Sequence, residues 1–262
     1  MRLFWEVARR GFRRYSSYRA AALAGLFTNV VFGFLRVAVL LVLFDAEGTV
    51  GGYEATDAVT YVWLTQGLIM VVHIWAPYDL ALRIRSGDIA TDLYRPVDLQ
   101  AYGLAEDVGR SAFHLLARGA TPLVVAAFFF TLRFPTTVAQ VVLFAASVIL
   151  AVVVSYALRF LLNLPAFWLL DYRGVAVLAN VSWMFLGGFF VPLAIFPDGL
   201  AAVARALPFA SIVQTPIDVF LGQPAGGTAL ALGLQAFWAL ALLAAGRLVW
   251  ARATTRLVVQ GG

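Results

Sequence analysis

Long apolar runs dominate this chain, and short polar clusters separate them. A helix needs about 20 mostly apolar residues to cross a hydrocarbon layer of about 30 Å. The pattern predicts six such helices, over residues 20–44, 59–80, 111–132, 138–160, 174–195 and 228–250. Two stretches depart from it. Residues 1–19 are amphipathic: Phe4, Val7, Ala8, Gly11, Phe12, Tyr15 and Tyr18 share one helical face, and Arg2, Glu6, Arg9, Arg10 and Arg13 the opposite one. That pattern suits a helix lying in the membrane interface, acting either as a lever for a cytoplasmic partner or as a lipid anchor and topology signal. The second stretch carries Gly187, Gly188, Pro192, Pro197, Pro208, Pro216 and Pro224. Its apolar segments, 200–207 and 209–221, are too short to span. They read as re-entrant helices or as an outer loop at the interface.

Composition moves the chain out of the soluble class. Hydrophobic residues make up 62% and charged residues 13%, against about 25% charged in soluble domains. All 19 basic residues are Arg. Fifteen flank the spans on one side: the N-terminal arm, Arg83, Arg85, Arg95 and Arg110 after span two, Arg159 and Arg173 near the fourth-to-fifth loop, and Arg247, Arg252 and Arg256. Only Arg133 and Arg205 fall on the other. The positive-inside rule then puts both termini in the cytoplasm. The first outer loop agrees, with Asp45, Glu47, Glu54 and Asp57 and no Arg. The first apolar run exceeds the 7–15 residues of a signal-peptide core, so it is expected to stay as an anchor.

The absent residues narrow the chemistry. There is no Cys and no Lys. A phosphate-binding P-loop needs Lys, as does Schiff-base chemistry, and no nucleophile–base or zinc-protease pattern is present. His73 and His114 alone offer no His-rich metal site. The expectation is a chain with no catalytic residues and no metal or cofactor of its own.

The loop between spans two and three carries the sharpest local signal. Gly87 breaks the preceding helix, Asp88 is a good N-cap, and Pro96 turns Arg95 away from helix. They bracket a short helix over residues 89–94, with Ile89 and Leu93 on one face at i, i+4. It offers either a docking element for a soluble partner or a helix lying on the bilayer.

The run SGDIATDLYRPVDLQAYGLAED (86–107) resembles the inner loop of membrane subunits of type-2 ATP-binding-cassette transporters, the exporter-like permease class. The segment YRAAALAGLFTNVVFGFLR (18–36) resembles the first span of an uncharacterised bacterial branch of that class, and FLGGFFVPLAIFPDGLAAVARALPF (185–209) its Gly/Pro-rich region before the last span. The resemblance covers essentially the whole chain. It implies an all-α polytopic fold: an interfacial helix over 1–19, then a six-span domain over 20–262, with an inner coupling loop at 81–110 and an outer re-entrant pair at 196–227. It implies a coupling helix at Gly87, Asp88, Ile89, Asp92 and Leu93 that docks a separate ATPase, and an outer gate at Gly187, Gly188, Pro192, Pro197 and Pro208. It also implies two P-loop ATPase subunits that hold ATP and Mg, a second permease of the same or a related chain, and export across the bacterial cytoplasmic membrane. Membrane lipid is a partner and nucleic acid is not.

Polar residues inside the spans are the remaining candidates. At 1.5 Å per residue, Arg36 and Gln66 lie roughly 10 Å from the outer ends of spans one and two. Asn29 and His73 lie roughly 10–12 Å from the inner ends, and Arg118 roughly 12 Å inside span three. These five either form a polar seam along a path or subunit interface, or act as snorkelling arginines and structural hydrogen bonds. Two other functions stay open from the residues: an ATP-independent transporter or channel, and a membrane-embedded enzyme. The first would place ionisable groups or broken helices near midplane, and the second lacks a catalytic pattern.

Overall fold

The computed structural model describes residues 2–16, 19–73, 78–94, 96–169 and 173–255. Tyr18, Trp75, Arg95 and Arg256 lie outside the described residues, as do the side chains of Arg19, Asp45, Glu47 and Arg173. The described chain is all-helical and forms no strand; a single bridge pairs Val50 with Tyr53.

Three helices are long and apolar enough to cross a membrane: residues Ala22–Phe44 within α2 (Arg19–Glu47), Val138–Phe167, which joins α8 (Val138–Asn163) to a 3-10 turn, and α12 (Thr228–Thr254). These are the first, fourth and sixth runs of the sequence pattern. Their apolar side chains remain widely exposed, as with Leu23, Phe27, Val39, Ile149 and Leu240, which suits surfaces that face hydrocarbon.

The second run does not form one helix. α3 (Ala55–Leu68) ends at Leu68, residues 69–73 form turns, and α4 (Asp79–Ser86) follows. α3 is buried on every face from Asp57 to Leu68, as expected of a helix that is apolar all round. The third run also shifts. α6 (Leu99–His114) starts well inside the stretch read as loop, capped by the Asp98 side chain on the Ala101 amide. It continues through a π-helical turn, Leu115–Gly119, into α7 (Thr121–Ala127). Residues 99–110 fall in the stretch expected as the inner loop, yet their polar residues Gln100, Asp107 and Arg110 are buried. The fifth run is shorter than predicted: α9 (Arg173–Leu186) gives way to non-helical backbone and a 3-10 turn at Leu193–Ile195.

After it come two short helices, α10 (Asp198–Ala206) and α11 (Gln214–Leu221). Pro197 stands at the N-cap of α10, Pro192 at that of the 3-10 turn, and Pro208 begins the turn between the pair. α11 is not a surface loop. Ile217, Phe220 and Leu221 are buried in the main core beside Tyr61 and Leu64 of α3 and Val148 and Val152 of α8.

The N-terminal helix α1 (Arg2–Ser16) packs along α6. The contact depends on glycine: a Cβ on Gly109 would lie 1.9 Å from the Ala8 carbonyl oxygen, and one on Gly11 would lie 2.5 Å from that of Glu106. Phe12 stacks edge-on against Phe113, and Tyr15 against His114. Gly109→Leu therefore forces the helices apart. With Cys introduced at Phe12 and Phe113 in this Cys-free chain, a short bis-maleimide should link α1 to α6. The Gly109→Leu background should lose at least half of that product; an unchanged yield would contradict the packing.

Candidate functional site: the inner-loop helices and two nodes at broken backbone

The predicted docking element forms as α5 (Ile89–Leu93). Gly87 ends α4 in a left-handed conformation, with φ of 82°. Asp88 occupies the N-cap position but does not cap with its side chain. It accepts instead from the Ser86 hydroxyl at 2.6 Å. Ile89 is fully buried against Ala81 and Ile84 of α4 and Ala166 of the 3-10 turn. It therefore anchors α5 to the body of the protein rather than offering a knob. Asp92 pairs with Arg83, which braces α5 against α4. Leu93 is 42% exposed, Tyr94 85% and Leu82 55%, so the outward apolar surface of this unit lies there.

Above it, the break after α3 is held by side chains from two other helices. The Arg110 guanidinium donates to the Met70 carbonyl at 2.5 Å and to that of Val71 at 2.9 Å, and the Ser111 hydroxyl donates to Val71 at 2.8 Å. The Ser155 hydroxyl of α8 donates to the Val72 carbonyl. These side-chain donors bond the carbonyls of residues 70–72, where hydropathy predicts the helix to run on. Asp107 binds both arginines, Arg110 at 2.8 Å and Arg159 at 2.7 Å, and so ties α6 to α8. His73, with φ of 53°, lies 3.4 Å from Arg159 through Nδ1. One helical turn further, Asn163 accepts from the Ala81 amide at 2.9 Å, which fixes the start of α4.

His73, Asp107, Arg110 and Arg159 line a cavity of about 790 Å³ whose wall also includes Arg83 and Asp92. The inner-loop helices and the broken second run thus share one polar space.

A second node holds the break after α9. The Tyr61 hydroxyl lies 2.7 Å from the Gly188 carbonyl and 2.6 Å from Gln214 Oε1, which also accepts from the Leu193 amide at 3.0 Å. Gln214 Nε2 donates to Asp218 at 2.7 Å, and Tyr53 donates to the same carboxyl. Arg36 donates to the Phe190 carbonyl at 3.1 Å and to that of Phe189, with its guanidinium 5.2 Å from the Phe189 ring centre. Gly187, the first residue of the break, accepts from the Gln214 amide at 3.2 Å.

The five polar span candidates are therefore dispersed. Asn29 donates to the Gln66 backbone carbonyl at 3.0 Å, so these two meet. Arg36 belongs to the second node and His73 to the first. Arg118 lies in the π turn against Gly25 of α2. The sequence reading missed Asp107, Ser111, Ser155, Tyr61, Gln214 and Asp218. The signal was present as helical spacing of polar residues inside apolar runs: 107, 110, 111, 114 and 118; 155, 159 and 163; 214 and 218. Among the described residues no three His, Asp or Glu side chains converge to hold a metal ion.

The chain matches the family described as ABC-2 family transporter protein over residues 30–261, and it belongs to that family. Membership makes it an ABC transporter permease and implies association with ABC ATPase subunits. No curated protein matches the chain.

Asp107 gives a direct test of the first node. Removing one partner of a buried ion pair costs about 3–5 kcal/mol, whereas an exposed pair such as Arg14–Glu106 contributes about 0–1 kcal/mol. Asp107→Asn should lower the thermal unfolding midpoint in detergent by several degrees, and Glu106→Gln should leave it within about one degree. Equal midpoints for the two variants would contradict the node.

Proposed function

We propose that this chain is the path-forming permease of an ABC exporter with six membrane passes and both ends in the cytoplasm. α2, α8 and α12 supply three passes outright. The other three are the α3–α4 column, the α6–α7 column with its π turn, and α9 with the backbone that follows it. Each of these is interrupted; side chains bond the breaks after α3 and α9, while the α6–α7 column passes through its π turn. The arginine bias still supports the orientation after Arg110 and Arg159 are counted as internal. Arg9, Arg10, Arg13, Arg14, Arg85, Arg247 and Arg252 are exposed at the end that carries α5.

One observation carries the reading: α5 is clamped inward through Ile89 and outward-facing through Leu93 and Tyr94. A soluble partner gripping Leu93, Tyr94 and Leu82 would move α4 and α5 as a unit, because Ile89 and the Arg83–Asp92 pair join them. α4 leads into the break at residues 69–73 and the cavity beside it. Two ATPase subunits, which would hold ATP and Mg, dock beneath a pair of permeases, and their closure drives this unit. Gly87 and Asp88 set the turn that presents it. Gly187, Gly188, Pro192, Pro197 and Pro208 keep the outer break and α10–α11 from forming continuous helix, as an outer gate requires. The cargo class that fits membrane access is small or amphiphilic.

Leu93→Glu with Tyr94→Glu should reduce co-purification with the ATPase subunit at least tenfold while leaving the size-exclusion profile of the chain unchanged. Ile89→Asp should instead broaden or shift that profile. Normal ATPase binding by the Leu93/Tyr94 double variant would overturn the docking assignment.

A further inference from the structure

His114 and Arg118 are buried on one face of the α6 column and carry polar atoms left without a partner among the described residues. Arg110, on the same face of α6, has every bond described above. His114 is 4% exposed and Arg118 6%, yet neither ring nitrogen of His114 nor Arg118 Nε has a hydrogen-bond partner among the described residues. The acid on that face, Asp107, is committed to Arg110 and Arg159. Among the described residues no carboxylate pairs with Arg118. Arginine keeps its charge in proteins, and a buried, uncompensated charge in a membrane helix is costly. The arrangement therefore calls for an anion from outside the chain.

The geometry around the two side chains favours a headgroup. The π turn carries Arg118 beside α2, where a Cβ on Gly25 would stand 2.5 Å from Nη2 and 2.8 Å from Nη1. Glycine at that position makes room for the guanidinium. Leu116 is 76% exposed on the same turn, and Leu23 and Phe27 of α2 are 67% and 71% exposed. A planar guanidinium pairs bidentately with phosphate or carboxylate, and the neighbouring apolar side chains offer a surface for acyl chains.

We propose that His114 and Arg118 bind the phosphate of an anionic phospholipid resident in the inner leaflet, its chains lying along Leu23, Phe27 and Leu116. The site needs only that the third run be embedded in the membrane; it does not depend on docking at α5. Titrating the purified full-length chain with phosphatidylglycerol or phosphatidylcholine, read by native mass spectrometry, tests it. The wild-type chain should prefer phosphatidylglycerol about tenfold, equivalent to roughly 1.4 kcal/mol. Arg118→Gln should abolish the preference. Gly25→Ala should reduce it too, because the added methyl displaces the guanidinium while leaving the charge in place and favouring helix. Arg85→Gln, at an exposed inner arginine, should not change it. Equal binding of the two lipids by the wild type, or an unchanged preference in Arg118→Gln, overturns the site. With the ATPase partner present, a phosphatidylglycerol that stays bound through ATP turnover supports a resident lipid. One released by turnover overturns residence and makes the headgroup cargo. Docking is read separately by co-purification, so either assignment can fail without the other.

Discussion

In hydrocarbon no water is available to bond a free backbone carbonyl, so each helix break must bring its own donors. This chain breaks twice within apolar runs, at residues 69–73 and after Leu186. At the first break Arg110, Ser111 and Ser155 bond the carbonyls of residues 70–72. At the second, Tyr61 and Arg36 bond those of residues 188–190. The donors come from α2, α3, α6 and α8, so satisfying the breaks also fixes how these helices pack. Apolar contacts alone would let them slide past one another, since lipid tails are as apolar as the helix surfaces.

The first break links this constraint to function. Arg110 cannot be buried at the Met70 and Val71 carbonyls without a counter-charge. Asp107 supplies it and recruits Arg159 from α8. The same helix edge then reaches α4 through Asn163 and the Ala81 amide. A displacement of α4 and α5 would therefore be felt at the ion-pair node, because both ends of α4 are tied. A continuous helix over residues 59–80 would transmit the same push as a rigid rod.

The sequence revealed the elements whose cause is local. α2, α8 and α12 are uniformly apolar over a membrane's thickness, and Gly87, in its left-handed conformation, ends α4 ahead of α5. The start of α6 was hidden because Gln100, Asp107 and Arg110 read as loop polarity until their partners on α8 and in the second run are known. The fate of residues 69–80 was hidden for the same reason: nothing within Met70-Val71-Val72 says that arginine and serine from far along the chain will take its carbonyls. Ile89 and Leu93 do share a face by spacing, but that spacing does not say that the body of the protein claims Ile89 and leaves Leu93 outside. Height in the bilayer set Arg36 level with Gln66 and Asn29 level with His73, but Asn29 bonds the Gln66 carbonyl and Arg36 finds its carbonyls beyond α9.

The arginines of this chain consequently divide by what neutralises them. Arg9, Arg10, Arg13, Arg14, Arg85, Arg247 and Arg252, on α1, α4 and α12, are exposed at one end of the protein, where water or headgroups keep charge cheap. Arg110 and Arg159 share Asp107, and Arg36 faces carbonyl dipoles and an aromatic ring. Arg118 has none of these, although it is buried as deeply as they are. At Arg110 and Arg159 the fold supplies a carboxylate within the chain. At Arg118 the fold instead provides space, by the absence of a side chain at Gly25 and by the wider π turn. A glycine that makes room for a charge without neutralising it is what a site for an external anion requires, and the adjacent apolar surface restricts that anion to one carried on an amphiphile.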